Sequence, residues 1–299
     1  MEKLVFCPVC NSTEFSSAME CKDFTYSQSY FNLVDCKKCG FRFTNPRPDV
    51  SEIGKYYQAP EYISHSDSQK GLVNKLYHLV RNYTLMQKLK LIFNLRGGIK
   101  KGISNTLLDI GCGTGAFLNV CKNAGFECEG IEPDENARAL AIAQYGLKVS
   151  GESALEGLPE KHYDVITLWH VLEHVPLLNE RIVKIKSLLK ENGHLIIAVP
   201  NCASYDAQHY GNLWAAYDVP RHLYHFTPAT MGQLIEKHEL KIARILPMVF
   251  DSFYVSLLSE KYKTGKTNFI SGMWTGLLSN IKAIKTGKEF SSQIYVVRN

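Results

Sequence analysis

Short strand-like stretches recur through the middle of the chain at residues 106–110, 127–132, 165–169 and 194–199. Runs of that length and composition predict buried strands. Between them, residues 115–124, 135–145 and 178–189 carry apolar side chains at three- to four-residue steps, which predicts helices. The β-α-β-α-β order predicts a doubly wound, Rossmann-like α/β sheet with its ligand at the carboxyl ends of the strands. Residues 293–297 form one more strand-like run, and the polar segment 251–290 before it is too long for a plain loop and predicts helices. Earlier, Leu72, Leu76, Leu79, Tyr83, Met86, Leu89 and Phe93 mark an amphipathic helix that Gly97 and Gly98 end.

These patterns divide the 299 residues into a small module at 1–50, a tyrosine-rich loop and basic amphipathic helix at 51–103, an α/β domain at 104–250, a helical insertion at 251–290 and a final strand of the same sheet at 291–299. Hydrophobic residues at 45% and charged residues at 21% suit a chain with a full core and exclude a disordered one. No stretch approaches the roughly 20 apolar residues of a spanning helix, and the first residues do not read as a secretory signal, so a cytoplasmic location is expected.

The net charge of +5 is unevenly spread. Residues 1–50 balance six basic against six acidic side chains, whereas eight basic residues and no acid lie from Lys70 to Lys101. That stretch suits an anionic substrate, RNA or a membrane surface, or is simply a solvated helix face. Six lysines against two glutamates occupy 260–289. There Met273, Trp274, Leu277, Leu278, Ile281 and Ile284 can lie on an anionic leaflet, or pack against the core or a second copy.

Nine cysteines include two CxxC pairs, Cys7 with Cys10 and Cys36 with Cys39, separated by 25 residues. Two such knuckles let four thiolates reach one tetrahedral ion, so a structural Zn2+ in a ribbon-like module is expected, with Cys21 as an alternative ligand. The string from Leu107 to Phe117 ends a strand and opens a helix through Asp109, Gly111, Gly113 and Gly115. Glycines there allow a ligand to approach the backbone, and Glu132, at the end of the next strand, can accept both hydroxyls of a ribose. Gly111, Gly113 and Ala116 also satisfy the dinucleotide pattern, but Asp109 would repel a pyrophosphate and attract an ammonium group.

This segment resembles the first motif of the class I S-adenosylmethionine-dependent methyltransferases, with Glu132 similar to their acidic ribose ligand. The resemblance implies that Pro133 and residues Glu152, Ser153 and Ala154 border the adenosine, that residues 164–170 form the fourth strand, and that His170 lines the cofactor pocket. More of the chain resembles one subgroup. Residues 36–48, then Tyr56 and Tyr57, then His170, Glu173 and His174 are similar to sugar C-methyltransferases and methyltransferase-23-like enzymes with an amino-terminal zinc module. The resemblance covers residues 5–250 and the final strand, and implies S-adenosylhomocysteine as a product.

Methyl transfer to carbon or oxygen needs a base. Within residues 214–227, Tyr217, Asp218, Arg221, His222, Tyr224 and His225 form a dense polar set, and His222 aligns with the base of the sugar C-methyltransferases. Arg221 stands where that subgroup has a glutamate, which puts carbon acceptors in doubt; Asp218 is the residue placed to compensate. His222, with His225, Tyr217 and Asp218, is therefore the expected catalytic set. His170, Glu173 and His174, at i, i+3 and i+4, are expected on one helical face that can hold a divalent cation. Tyr57, Tyr62 and His65 are candidates for closing over cofactor or acceptor.

The expected reaction is in-line methyl transfer to a small-molecule acceptor, a sugar nucleotide or glycan precursor; the sequence leaves the oligomeric state open, a homodimer among the options. The alternatives are an RNA methyltransferase, a membrane-associated methyltransferase of a lipid-linked or quinone precursor, and a non-catalytic cofactor-binding regulator. Nucleic acid is disfavoured because the cysteine module is neutral and no continuous basic stripe runs along the chain.

Overall fold

The computed structural model describes residues 1–57, 72–98, 105–287 and 289–299, without the side chains of 72–77. Tyr62, His65, Lys70, Lys100 and Lys101 lie outside the described residues. Two compact units emerge: Met1–Ser64, His170–Arg181 and Ala198–Val296 form the first, and His65–Trp169, Ile182–Ile197 and Val297–Asn299 the second.

In the first unit, β1 (Phe15–Lys22) pairs antiparallel with β2 (Tyr30–Cys36), and β2 with β3 (Arg42–Thr44). The sheet is completed from far along the chain, by the two-residue β9 (Tyr224–His225) on the free edge of β3. Phe41, Phe43, Tyr224 and Phe226 pack ring on ring across this junction, with centroids 5.5 to 6.4 Å apart. The core beneath joins Phe31, Leu33 and Tyr56 to Trp214, Tyr217, Val219 and Val255.

The second unit carries the expected parallel strands. β4 (Thr106–Ile110) pairs with β5 (Glu127–Ile131) on one side and β7 (Tyr163–Trp169) on the other, and β5 with β6 (Lys148–Ser150). Every residue of β4 is buried, as expected of a strand covered on both faces. The whole sheet has seven strands in the order β10-β11-β8-β7-β4-β5-β6, where β8 is Leu189–Pro200, β10 Lys241–Pro247 and β11 Ser292–Arg298.

Helix boundaries follow local chemistry. α1 (Leu72–Arg96) precedes β4, and α2 (Ala116–Asn123) follows the glycine turn. α3 (Glu135–Tyr145) starts where Asp134 accepts from Ala137 N and stops at Gly146 in the left-handed region. After α4 (Leu178–Leu188) and the short α5 (Tyr205–Tyr210), α6 (Pro228–Lys237) opens with Pro228 at its first turn and a Thr227–Thr230 capping box. The insertion expected at 251–290 is a pair of helices, α7 (Asp251–Thr264) and α8 (Phe269–Thr286).

Two expectations change. Among the described side chains of α1, Leu89 and the unmarked Ile92 are buried, while Leu79, Tyr83 and Met86 stay more than half exposed. The helical face expected for His170, Glu173 and His174 is instead one 3-10 turn, Leu172–His174, with His170 before it at φ +57°. Among the described residues no helix is long and apolar enough to cross a membrane.

Candidate active site

The winding of the sheet reverses at β4, which has β5 on one side and β7 on the other, so the carboxyl ends of these strands part and leave room for a ligand. Asp109 stands there, buried, accepting a 2.6 Å hydrogen bond from Thr167 Oγ1 of β7. Burial pushes its carboxyl up to about 7, against the pull of Thr167 and Lys88.

The turn after β4 is tied to β5 through Gly111 N and the Ile131 carbonyl at 2.7 Å. Gly113, at φ +54°, has nothing within 4 Å of where a Cβ would stand, so this side of the turn is open to a ligand. Gly115, at φ +77°, is constrained from behind: a Cβ would come 2.5 Å from Leu147 Cδ1 and 2.9 Å from Ala141 Cβ. α2 begins directly after it with no side-chain cap, leaving its first N–H groups for an anionic ligand group.

Glu132 Oε2 accepts from Gly113 N at 2.7 Å and Oε1 from Asp134 N at 2.9 Å. Each oxygen keeps a lone pair, enough for the two hydroxyls of a ribose. Pro133 is exposed beside it, and Glu152, Ser153 and Ala154 open the 3-10 turn after β6. The structure therefore gathers these residues at the ends of three adjacent parallel strands.

Two residues of this unit were not singled out from sequence. Lys88 of α1 lies 4.1 Å from the Trp169 ring centre and 5.8 Å from that of Phe117. Trp169 Nε1 is buried without a hydrogen-bond acceptor among the described residues. An orphaned donor, a buried acid, an open glycine turn and unspent lone pairs on Glu132 together fit S-adenosylmethionine.

A second polar cluster lies in the first unit. His222 Nδ1 is 2.8 Å from the Ala216 carbonyl, which can only accept, so Nδ1 carries the hydrogen and Nε2 keeps its lone pair. Asp218 Oδ2 is 3.9 Å from that Nε2, but the carboxylate is mainly committed to Arg221, at 2.5 and 3.0 Å. Burial opposes the charge of Asp218, yet Arg221 holds its pKa below the ordinary value. Arg221 is itself buried, bonded also to the Tyr56 carbonyl and paired with Asp23.

His174 stacks edge-on against His222 with ring centres 4.5 Å apart. Its Nδ1 lies 3.1 Å from the Arg221 carbonyl and 3.0 Å from Tyr57 Oη. Burial and the neighbouring His222 push it down to about 4, so it is neutral near pH 7. Glu173 is fully buried; its ligating oxygen, with ring nitrogens of His174 and His222, forms a set of three within 4.8 Å of one another that can hold a cation. His222 thus replaces His170 in that set. His170 instead pairs with Asp251 at 3.0 Å and Glu173 at 3.4 Å, which overcome burial and raise it to about 10.

The other two residues of the expected catalytic set are bonded to the amino-terminal sheet. Tyr217 Oη accepts from Arg42 at 2.8 Å, and His225 Nε2 is 3.2 Å from Thr44 Oγ1. In the cysteine cluster, Cys7 and Cys39 are 3.5 Å apart and Cys10 and Cys36 3.4 Å apart. All four sulfurs lie within 4.8 Å of one another, near the spacing of about 3.8 Å set by a tetrahedron with 2.3 Å metal–sulfur bonds. Burial alone would raise the Cys36 thiol, but backbone N–H groups of Cys39 and Lys38 bring it down to about 7.

Fold and glycine turn together define a class I nucleotide-binding α/β protein. A family model described as a methyltransferase domain matches residues 77–245, and the chain belongs to that family. It is an S-adenosylmethionine-dependent methyltransferase. A ubiquinone biosynthesis O-methyltransferase of Rickettsia bellii is 25% identical over 207 residues, covering 64% of this chain and 83% of that protein. One of Paraburkholderia phytofirmans, of the same name, is 28% identical over 161 residues, or 49% and 68% of the two chains. The fold is similar to that of the magnesium protoporphyrin IX methyltransferase of Synechocystis PCC 6803 with bound SAH. The TM-score is 0.55 at 16% identity, over 84% of this chain and all of that one.

Proposed function

We propose that this methyltransferase acts on a hydroxyl of a small-molecule acceptor, with His222 taking the proton. The observation that carries the reading is the fixed tautomer of His222, whose Nδ1–H is held by the Ala216 carbonyl so that Nε2 is the basic atom. S-adenosylmethionine, when bound, supplies an electrophilic methyl on sulfonium. Asp109 receives its ammonium group, the turn through Gly111, Gly113 and Gly115 admits it, and Glu132 takes the ribose. Pro133, Glu152, Ser153 and Ala154 border the adenine. Asp218, 3.9 Å from Nε2, stabilises the imidazolium that forms. Tyr217 and His225, whose polar atoms are engaged by Arg42 and Thr44, hold the 214–227 segment in position. His170 acts as a positioning residue through Asp251 and Glu173. Cys7, Cys10, Cys36 and Cys39 hold a structural Zn2+.

For the acceptor, the likeness to relatives named ubiquinone biosynthesis O-methyltransferases supports a phenolic hydroxyl on a quinone-type precursor. The four-cysteine module supports a second reading, a sugar nucleotide or glycan precursor, since it is shared with the sugar methyltransferases that the sequence resembles. Both are read here as oxygen methylation, because Arg221, paired with Asp218 and Asp23, stands where the carbon-methylating subgroup has its glutamate.

The test is transfer of labelled methyl into a cell extract fractionated into quinone-precursor, nucleotide-sugar, lipid-linked and RNA pools. Label in the quinone-precursor pool supports the first acceptor and label in the nucleotide-sugar pool the second. Label confined to RNA refutes both. With the labelled acceptor in hand, His222→Ala is expected to lower kcat by roughly 10²–10⁴-fold, and near-full kcat would remove His222 as the base.

A further inference from the structure

α8 is built inside out. Its buried face consists of Gly272, Thr275, Gly276, Ser279, Asn280 and Ala283, all small or polar. Its exposed face carries Ile270 (83% exposed), Trp274 (61%), Leu277, Ile281 and Ile284 (66%). Those five recur at alternating four- and three-residue steps, one continuous stripe along the helix. The inner face packs on α7 at backbone distance: a Cβ on Gly272 would lie 2.9 Å from Leu257 Cα, and one on Gly276 2.9 Å from Phe253 Cα. Polar bonds tie the inner face down, with Ser279 donating to Asp206 at 2.6 Å and Ser271 to Glu260 at 2.7 Å. In water such a helix normally turns its large apolar side chains inward; here the helix is held by its polar side and offers the apolar side to the surroundings.

Charge selects what covers that face. Lys261, Lys263, Lys266, Lys282 and Lys285 are exposed on the helix pair, while its internal acid, Glu260, is buried and bonded to Tyr210 and Ser271. Among the described residues from 252 to 287 no acidic side chain is exposed. Two copies laid face to face would set lysine against lysine. An anionic lipid surface accepts both the stripe and the cations around it.

We infer that α7 and α8 form a docking surface for an anionic lipid bilayer, with α8 lying in the interfacial plane and Ile270, Trp274, Leu277, Ile281 and Ile284 inserted among the acyl chains. This inference is independent of which acceptor the enzyme methylates.

The test is co-sedimentation of the full chain with phosphatidylcholine vesicles, with and without phosphatidylglycerol. Binding is expected to rise with the anionic lipid, to fall with salt, and to shift Trp274 emission to the blue. The double variant Ile270→Glu/Trp274→Glu changes only exposed positions; with S-adenosylmethionine binding retained as the folding control, it is expected to partition at least about tenfold more weakly. Lys266→Glu/Lys285→Glu is expected to lose the preference for phosphatidylglycerol. Failure of the wild-type chain to bind anionic vesicles overturns the inference, as does equal binding by the Ile270→Glu/Trp274→Glu variant. A dimer in sedimentation velocity that the apolar variant breaks, without vesicle binding, assigns the stripe to a second copy and overturns it as well.

Discussion

Replacing Thr167 by valine removes one hydrogen-bond donor from a buried acid without changing the shape of the strand. Thr167 Oγ1 donates to Asp109 Oδ1 at 2.6 Å, and neither residue is more than 2% exposed. Burial already holds Asp109 near 7, so if it receives the cofactor's ammonium group as proposed, binding must drive off a proton below that pH. Wild-type affinity should therefore climb as pH rises toward 7 and level off above it. A hydrogen bond to a charged group contributes about 1.5–3 kcal/mol, which corresponds to roughly one to two pKa units. In Thr167→Val the affinity plateau should begin one to two units higher, and near pH 7 the Kd for S-adenosylmethionine should rise roughly 5- to 50-fold. At sufficiently alkaline pH the two proteins should converge. Titration calorimetry across the pH range measures this directly. A variant whose profile keeps the wild-type midpoint, or whose weaker binding does not recover with alkali, would refute the account of Asp109 as a proton-linked ammonium site.

Gly115→Val combines left-handed strain at φ +77° with a collision against Leu147 and Ala141, and should lose about 2–5 kcal/mol in denaturant unfolding; a change under about 0.5 kcal/mol would contradict it. His170 is raised to about 10 by Asp251 and Glu173, so its stabilising contribution is complete below about 6.5 and is lost as pH rises through 10. Asp251→Asn should flatten the fall in stability over that window, and identical alkaline melting profiles would exclude the pairing. Removing metal from the four-cysteine cluster, or Cys36→Ser, should loosen β1–β3 while leaving β4–β7 protected, read by hydrogen exchange; one zinc per chain is expected in elemental analysis.

The α/β half was legible because its local signals agree with its tertiary role. β4 is buried throughout, with Leu107, Leu108 and Ile110 giving the strand signal and Asp109 marking the site, and the glycines after it stand where positive φ is needed. The cysteine spacing was equally direct. The sequence could not show that Tyr224 and His225 pair with Arg42 and Phe43, since a two-residue strand carries no periodicity. It misplaced His170 because i, i+3, i+4 spacing presumes a helix, whereas one 3-10 turn turns His170 toward Asp251 and brings His222 to Glu173 from a distant segment. It also missed Thr167 and Lys88, whose significance lies in which strand or ring they face rather than in any motif. The outward face of α8 was left open between a leaflet, the core and a second copy, because apolar spacing identifies a stripe but not which way it points.

The two-residue strand β9 also orders events during synthesis. Thr44 and His225 touch across a separation of 181 residues, so the amino-terminal sheet cannot close its edge until that much more chain has left the ribosome. At 5–20 residues per second this is a delay of roughly 10–35 s. Both cysteine knuckles are already complete at Cys39, near the start of that interval. Completion of the cysteine cluster and closure of the sheet are therefore separate steps, and a nascent chain with both knuckles in place waits, with the outer edge of β3 bare, for its own distant segment to arrive.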